Sequence, residues 1–247
     1  MCRGERVIAV SRTVRAYIEE NYPQTDPERI KLIYRGIDTQ EFPRGYQPDD
    51  AWREQWYQEW PQLTGQKVLT LPGRLTRLKG HHDFIDLIAR LRRDGQPVQG
   101  MIVGGEDPKR RGYARELKER IKTQGLSDVI HFAGARQDIR DIYAVSDLVL
   151  SLSTKPESFG RTVAEALSLG TPVIGYSHGG VGEILAAVFP SGAVTCGDKN
   201  ELYQRVLLQL ERPRSPGEMP FLQHDMLDQT LECYRECLQD EEMKLER

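Results

Sequence analysis

Six short apolar runs of strand length, each followed by a stretch with helical spacing, occupy Lys67–Leu210 and restrict this chain to a small set of folds. They are Lys67–Pro72 (KVLTLP), Val98–Gly105 (VQGMIVGG), Val129–Gly134 (VIHFAG), Asp147–Ser153 (DLVLSLS), Pro172–Gly175 (PVIG) and Gly192–Thr195 (GAVT). The stretches between them are too long for hairpins, so consecutive strands are joined by crossovers and run parallel. The prediction is an α/β fold, a doubly wound, Rossmann-like parallel sheet with helices on both faces. With 38% hydrophobic residues in 247, the chain has the apolar side chains such a core needs.

Open parallel sheets bind ligands beyond the carboxyl ends of their strands, so the chemistry is sought in the loops there. The first such loop, Gly73–Gly80 (GRLTRLKG), has glycines at both ends, a planar fork of donors at Arg74 and a point charge at Lys79 by the mouth of helix His82–Arg93. It reads as a phosphate loop, with Arg77 left to the surface. Gly104 closes the second strand, and Ala135–Asp138 follows the third. The fourth strand leads into Lys155–Gly170 (KPESFGRTVAEALSLG), which sets Glu157 in a strand-to-helix loop and Glu165 inside the helix. Gly160 permits close backbone approach, and the free N–H groups of the first turn favour an anion. The helix from Gly160 to Glu165 rises roughly 7–8 Å. A diphosphate at its tip then has sugar hydroxyls near Glu157 and ribose hydroxyls near Glu165, each carboxylate accepting two hydrogen bonds.

Lys-Pro-Glu-Ser-Phe-Gly at 155–160, the second glutamate at 165 and Ala-Leu-Ser-Leu-Gly-Thr-Pro-Val-Ile-Gly at 166–175 together resemble the C-terminal donor-binding domain of retaining GT-B glycosyltransferases, family four, group 1 type. The Gly-Arg-Leu…Lys-Gly run at 73–80 resembles that family's diphosphate-binding segment. The resemblance implies one half of a GT-B fold, with a nucleoside diphosphate sugar as donor substrate and no other cofactor. It assigns Glu157 to the donor sugar, Glu165 to the ribose, and Arg74 and Lys79 to the diphosphate; Glu157, Arg74 and Lys79 are the catalytic candidates. The donor-binding candidates are Gly73, Arg74, Lys79, Gly104, Ala135, Arg136, Glu157, Phe159, Gly160, Arg161, Thr162 and Glu165, with the base near Ala135–Asp138. The reaction implied is metal-independent transfer of a hexose, with retention, to a glycan or lipid-linked hydroxyl, as in bacterial lipopolysaccharide-like glycan synthesis.

Other classes fit less well. A nucleotide dehydrogenase shares the sheet but needs Gly-x-Gly-x-x-Gly after the first strand, where this chain is basic. No Asp-x-Asp is present to carry a metal-bound diphosphate, and no segment resembles the pyridoxal phosphate lysine of a phosphorylase. A net charge of −3 argues against nucleic acid as a main partner. No apolar stretch approaches the roughly 20 residues that span a bilayer, and MCRGERVIAV lacks a secretory h-region, so the expected location is cytoplasmic with at most peripheral membrane contact. Lys109, Arg110 and Arg111 are the basic cluster that would touch anionic lipid or stay solvated. Cys2, Cys196, Cys233 and Cys237 form no zinc or redox signature and read as reduced thiols.

Three segments are expected. Residues 1–46 read as the close of an N-terminal domain and the crossover, 47–212 as the nucleotide-sugar-binding domain, and 213–247 as a Pro-rich linker and a final helix. An alternative follows from this division: a non-catalytic donor-binding module or fragment that needs a separate acceptor-binding partner. Trp52, Trp56 and Trp60 fall near one helix face, as a stacking platform or as packing, and His178 is a candidate base in the Gly-rich loop 176–184.

Overall fold

The computed structural model describes residues 2, 4–106 and 111–245, with the side chains of 111 and 240–245 outside that description. Lys109, Arg110 and the Arg111 side chain therefore lie outside the described residues. Six strands form one all-parallel sheet: β3 (Lys67–Pro72), β4 (Val98–Val103), β5 (Ile130–Gly134), β6 (Leu148–Ser151), β7 (Val173–Tyr176) and β8 (Ala193–Val194). Their spatial order is β5-β4-β3-β6-β7-β8, so the chain winds outward from β3 through β5, then returns to the other side of β3 at β6. The winding reverses between β3 and β6, and doubly wound sheets hold ligands at such a reversal, beyond the carboxyl ends of the strands.

Alternation along each strand divides the core. Leu69 and Leu71 of β3 and Leu148 and Leu150 of β6 point to one face, where α3 (His81–Arg93), α4 (Arg111–Thr123) and α8 (Lys199–Glu211) cover them. Val149 and Val173 point to the other, under α5 (Ile139–Ala144), α6 (Arg161–Leu169) and α7 (Gly179–Val188). Helix α6 is buried from Val163 to Leu169, the polar Glu165 and Ser168 included. Asp198 caps α8 by accepting from the Asn200 and Glu201 amides.

Helix α2 (Asp50–Glu59) carries the tryptophan stripe, and the stripe packs inward. Trp56 is 2% exposed, stacked on Trp52 with ring centroids 5.2 Å apart, in a cluster with Val68, Met101 and Ile142. Trp56 is core, and Trp52 and Trp60 are half-buried against the same cluster.

Ahead of these, β1 (Val7–Ala9), α1 (Arg12–Asn21) and β2 (Ile30–Leu32) make a small unit whose two strands pair in parallel. The final helix α9 (Gln223–Leu245) lies against it through Lys31–Glu236 (2.6 Å) and the buried Cys233. Leu227, Leu231, Tyr234 and Leu238 form an exposed apolar stripe along α9. All four cysteines are free thiols. Among the described residues, no helix is long and apolar enough to cross a membrane.

Candidate functional site

Two loops are stitched together where β3 and β6 end. The Thr154 amide donates to the Leu78 carbonyl at 2.8 Å, and Gly80 sits directly against the Leu152 backbone, where a Cβ would lie 2.1 Å from the carbonyl oxygen. Gly80 also has φ +72°, so no other residue fits without strain. This contact brings Lys79 to Glu157: Nζ donates to Oε1 at 2.6 Å, and the Ser153 hydroxyl donates to the same oxygen. Arg74, Lys79, Ser153, Lys155 and Glu157 line a cleft of about 340 Å³. It is a basic cleft with one carboxylate in its wall.

The neighbouring strand ends extend this edge. The Gly73 amide donates to Val103 and the Gly104 amide to Gly134, both at 2.8 Å, and Gly105 lies against Ala135. Gly73, Gly104 and Ala135 thus form a continuous backbone rim beside Arg74. Arg136 turns away from it: its guanidinium pairs with Asp138 (2.7 Å) and Glu59 (3.3 Å) and lies over the Trp56 ring. The Trp52 indole N–H also donates to Asp138 at 2.9 Å, so Arg136 is tied to α2 and only its backbone faces the rim.

Helix α6 opens at Gly160, with φ +104° and no side-chain cap, and a Cβ there would come within 2.7 Å of Val181. The glycine is therefore required by α7 as well as by the turn. Arg161 and Thr162 occupy the first turn, where amides have no intrahelical acceptor. One turn on, Glu165 is 5% exposed and accepts from Arg161 Nε at 2.6 Å. Burial raises its pKa, Arg161 opposes that, and Glu41 adds to the rise. Glu165 faces a second cavity of about 290 Å³, whose wall includes Asp38, Glu41, Phe159 and Arg161. The two glutamates thus face separate cavities on either side of the α6 tip, with Phe159 buried between the loop and Phe221.

Two residues of this region carry no motif. Ser153 is one; the other is Glu183 on α7, whose carboxylate accepts from the Arg12 amide (3.0 Å), the Thr13 amide and hydroxyl (2.8 Å each) and the Tyr34 hydroxyl (2.7 Å). Burial works to raise the Glu183 pKa, but these donors outweigh it and hold the carboxyl below its usual range. The Tyr34 phenol is pushed up to about 12 by burial and by Glu183. His178 donates from Nε2 to the Ser153 carbonyl at 2.7 Å. Among the described residues, no group of three or more His, Cys, Asp or Glu is placed to hold a metal ion.

The sheet order, the basic cleft at its reversal point and the glutamate on the β6 loop define a class, and the sequence profile described as glycosyl transferases group 1 matches residues 53–218. The chain belongs to that family. It is 36% identical over 159 residues to mannosylfructose-phosphate synthase of Agrobacterium fabrum, covering 62% of this chain and 34% of that protein. It is 31% identical over 185 residues to a lipopolysaccharide core biosynthesis mannosyltransferase of Rhizobium meliloti, covering 74% and 48%. Among solved structures, a glycosyltransferase of Rickettsia africae superposes with a TM-score of 0.85 at 24% identity over 96% of this chain and 64% of that one, a likeness of fold. HepE of Anabaena, solved with UDP-glucose, superposes with a TM-score of 0.73 at 28% identity over 84% and 54%. The chain spans about a third to a half of the length of these two curated relatives.

Proposed function

We propose that this chain holds a nucleoside diphosphate sugar in the crevice between β3 and β6 and provides the donor side of a hexosyl transfer to a glycan or lipid-linked hydroxyl. The observation that carries this reading is the Lys79–Glu157 pair, set at the reversal of the sheet beside Arg74 and the uncapped start of α6. A lysine and a carboxylate joined in this way split naturally on donor binding, the ammonium to the diphosphate and the carboxylate to the sugar hydroxyls. Arg74, Lys79 and the amides of Arg161 and Thr162 meet the charge that develops on the leaving diphosphate, so no metal ion is required. Glu165 takes the ribose, and the backbone of Gly104, Ala135 and Arg136 takes the base. Transfer proceeds with retention, a leaving-group phosphate oxygen accepting the acceptor's proton on the same sugar face. The Anabaena relative solved with UDP-glucose and the Rhizobium mannosyltransferase support a sugar-nucleotide donor and a role in bacterial glycan synthesis.

The test is calorimetric titration with UDP, GDP and ADP and their hexose conjugates, with and without EDTA. At least one nucleotide binds, EDTA leaves its affinity unchanged, and Arg74→Ala weakens it by about 10- to 100-fold, the range for a hydrogen-bonded charge. Binding abolished by EDTA, or untouched in Arg74→Ala, contradicts the reading.

A second reading, a donor-binding module that works with a separate acceptor-binding polypeptide, is favoured by the exposed stripe Leu227, Leu231, Tyr234 and Leu238 on α9. Binding without transfer by the chain alone distinguishes it.

A further inference from the structure

We infer that Ser153 is a positioning residue for Glu157, acting with His178 to present one carboxylate oxygen to the donor sugar; this rests on the donor reading proposed above. Ser153 is 6% exposed and follows directly from β6 through Leu152. Its backbone is held from both sides: His178 Nε2–H donates to the Ser153 carbonyl at 2.7 Å, and the next amide, Thr154, donates to Leu78 at 2.8 Å. The backbone of Glu157 is held too, its carbonyl accepting from the Gly180 amide at 2.8 Å, with Gly179 packed against the Glu157 main chain. The side chain is what remains to be fixed. Both of its protein donors, Ser153 Oγ and Lys79 Nζ, converge on Oε1, which leaves Oε2 without a hydrogen bond among the described residues.

The two donors differ in what they can do when a ligand arrives. Lys79 is a flexible point charge with three protons, so it turns to a diphosphate at little cost. Ser153 is short, enclosed and has a single proton to give. Once Lys79 is shared with or taken by phosphate, the Ser153 hydroxyl is the group that keeps Oε1 in place and Oε2 aimed at the sugar hydroxyls. His178 serves this arrangement one step back, through the Ser153 carbonyl, and its proton therefore resides on Nε2. That bond gives the histidine of the Gly-rich loop a structural task, distinct from that of a base.

The test measures dissociation constants for UDP against UDP-glucose and GDP against GDP-mannose on the wild-type chain, Ser153→Ala and Ser153→Thr. For the pair that binds, Ser153→Ala raises the ratio of sugar-nucleotide to nucleotide Kd about tenfold, the effect of one hydrogen bond to a charged group, and leaves the free nucleotide within about twofold. Ser153→Thr, which keeps the hydroxyl, returns the ratio to the wild-type value. Nucleotide binding by Ser153→Ala shows that the variant is folded. An unchanged ratio, or equal loss of nucleotide and sugar nucleotide, overturns the assignment while the donor reading stands. Failure of the wild-type chain to bind UDP, GDP or ADP in any form removes the donor reading, and this inference with it.

Discussion

At the first residue of α3, one position beyond Gly80, His81 is fully buried, its imidazole set edge-on to the Tyr113 ring. Burial pushes its pKa down to about 4. The unfolded chain takes up the proton near pH 6.5 and the native state only near 4, so between those values the unfolded state binds more protons and stability falls as pH falls. The contribution is complete above about pH 6.5 and lost progressively toward 4. Urea unfolding at pH 6.5 and pH 5 should therefore differ by about 2 kcal/mol in the wild-type chain, and by clearly less in His81→Gln, which cannot titrate. Equal pH dependence in the two proteins would contradict the burial argument. Glu165 shifts in the opposite sense, its raised pKa making the ionised form costly in the fold, so the two residues act oppositely on acid stability. Of the residues proposed to meet the donor, Arg74, Lys79 and Glu157 stand out in the sequence because each brings a charge to the loop after a strand, and Glu165 because it follows in the helix of the same motif. Ser153 does not, because a serine after an apolar strand has no distinguishing pattern until its hydroxyl is seen on Glu157.

Among elements, α1 and α7 are joined through one side chain. Glu183 caps the first turn of α1 from outside, accepting two main-chain amides where Ser11 already serves Val14. Glu183→Ala strands those donors and the Tyr34 hydroxyl, and is expected to cost about 3 kcal/mol. Hydrogen exchange provides the check: the Arg12 and Thr13 amides and the rest of α1 exchange faster, while β3 and β4 keep their protection. Unchanged exchange in α1 would contradict this account of the junction. The strands of the main sheet were readable from apolar runs bounded by glycine and proline, and their parallel pairing from connection length. By contrast β2 is only three residues long, too short for its Ile-Lys-Leu alternation to mark a strand, and it exists through pairing with β1. The tryptophan stripe of α2 shows the limit of spacing as a guide. Periodicity placed all three rings near one face; only Val68, Met101 and Ile142 determine that the face turns inward.

On the scale of the whole molecule, the sheet reverses at β3 and β6, and every loop proposed to touch the donor leaves the same edge: 73–80 after β3, 104–105 after β4, 135–136 after β5 and 153–162 after β6. Net charge and composition contained none of this, since the basic groups of the cleft are balanced by acids elsewhere. Strand order also lies beyond a sequence pattern, because alternation predicts parallel neighbours without saying where the winding turns back. The chain spans about a third to a half of these curated relatives, and the segments proposed above to hold the donor all fall within residues 53–218, the region that the family profile matches. The most direct test is an amide hydrogen-exchange footprint of the full chain with and without saturating UDP-glucose or GDP-mannose. Protection is expected at 73–80, 104–105, 135–136 and 153–162, with none in α2 or α8. Protection confined to α1 and α9, or none at saturation, would contradict the claim that the crevice between β3 and β6 is the donor site.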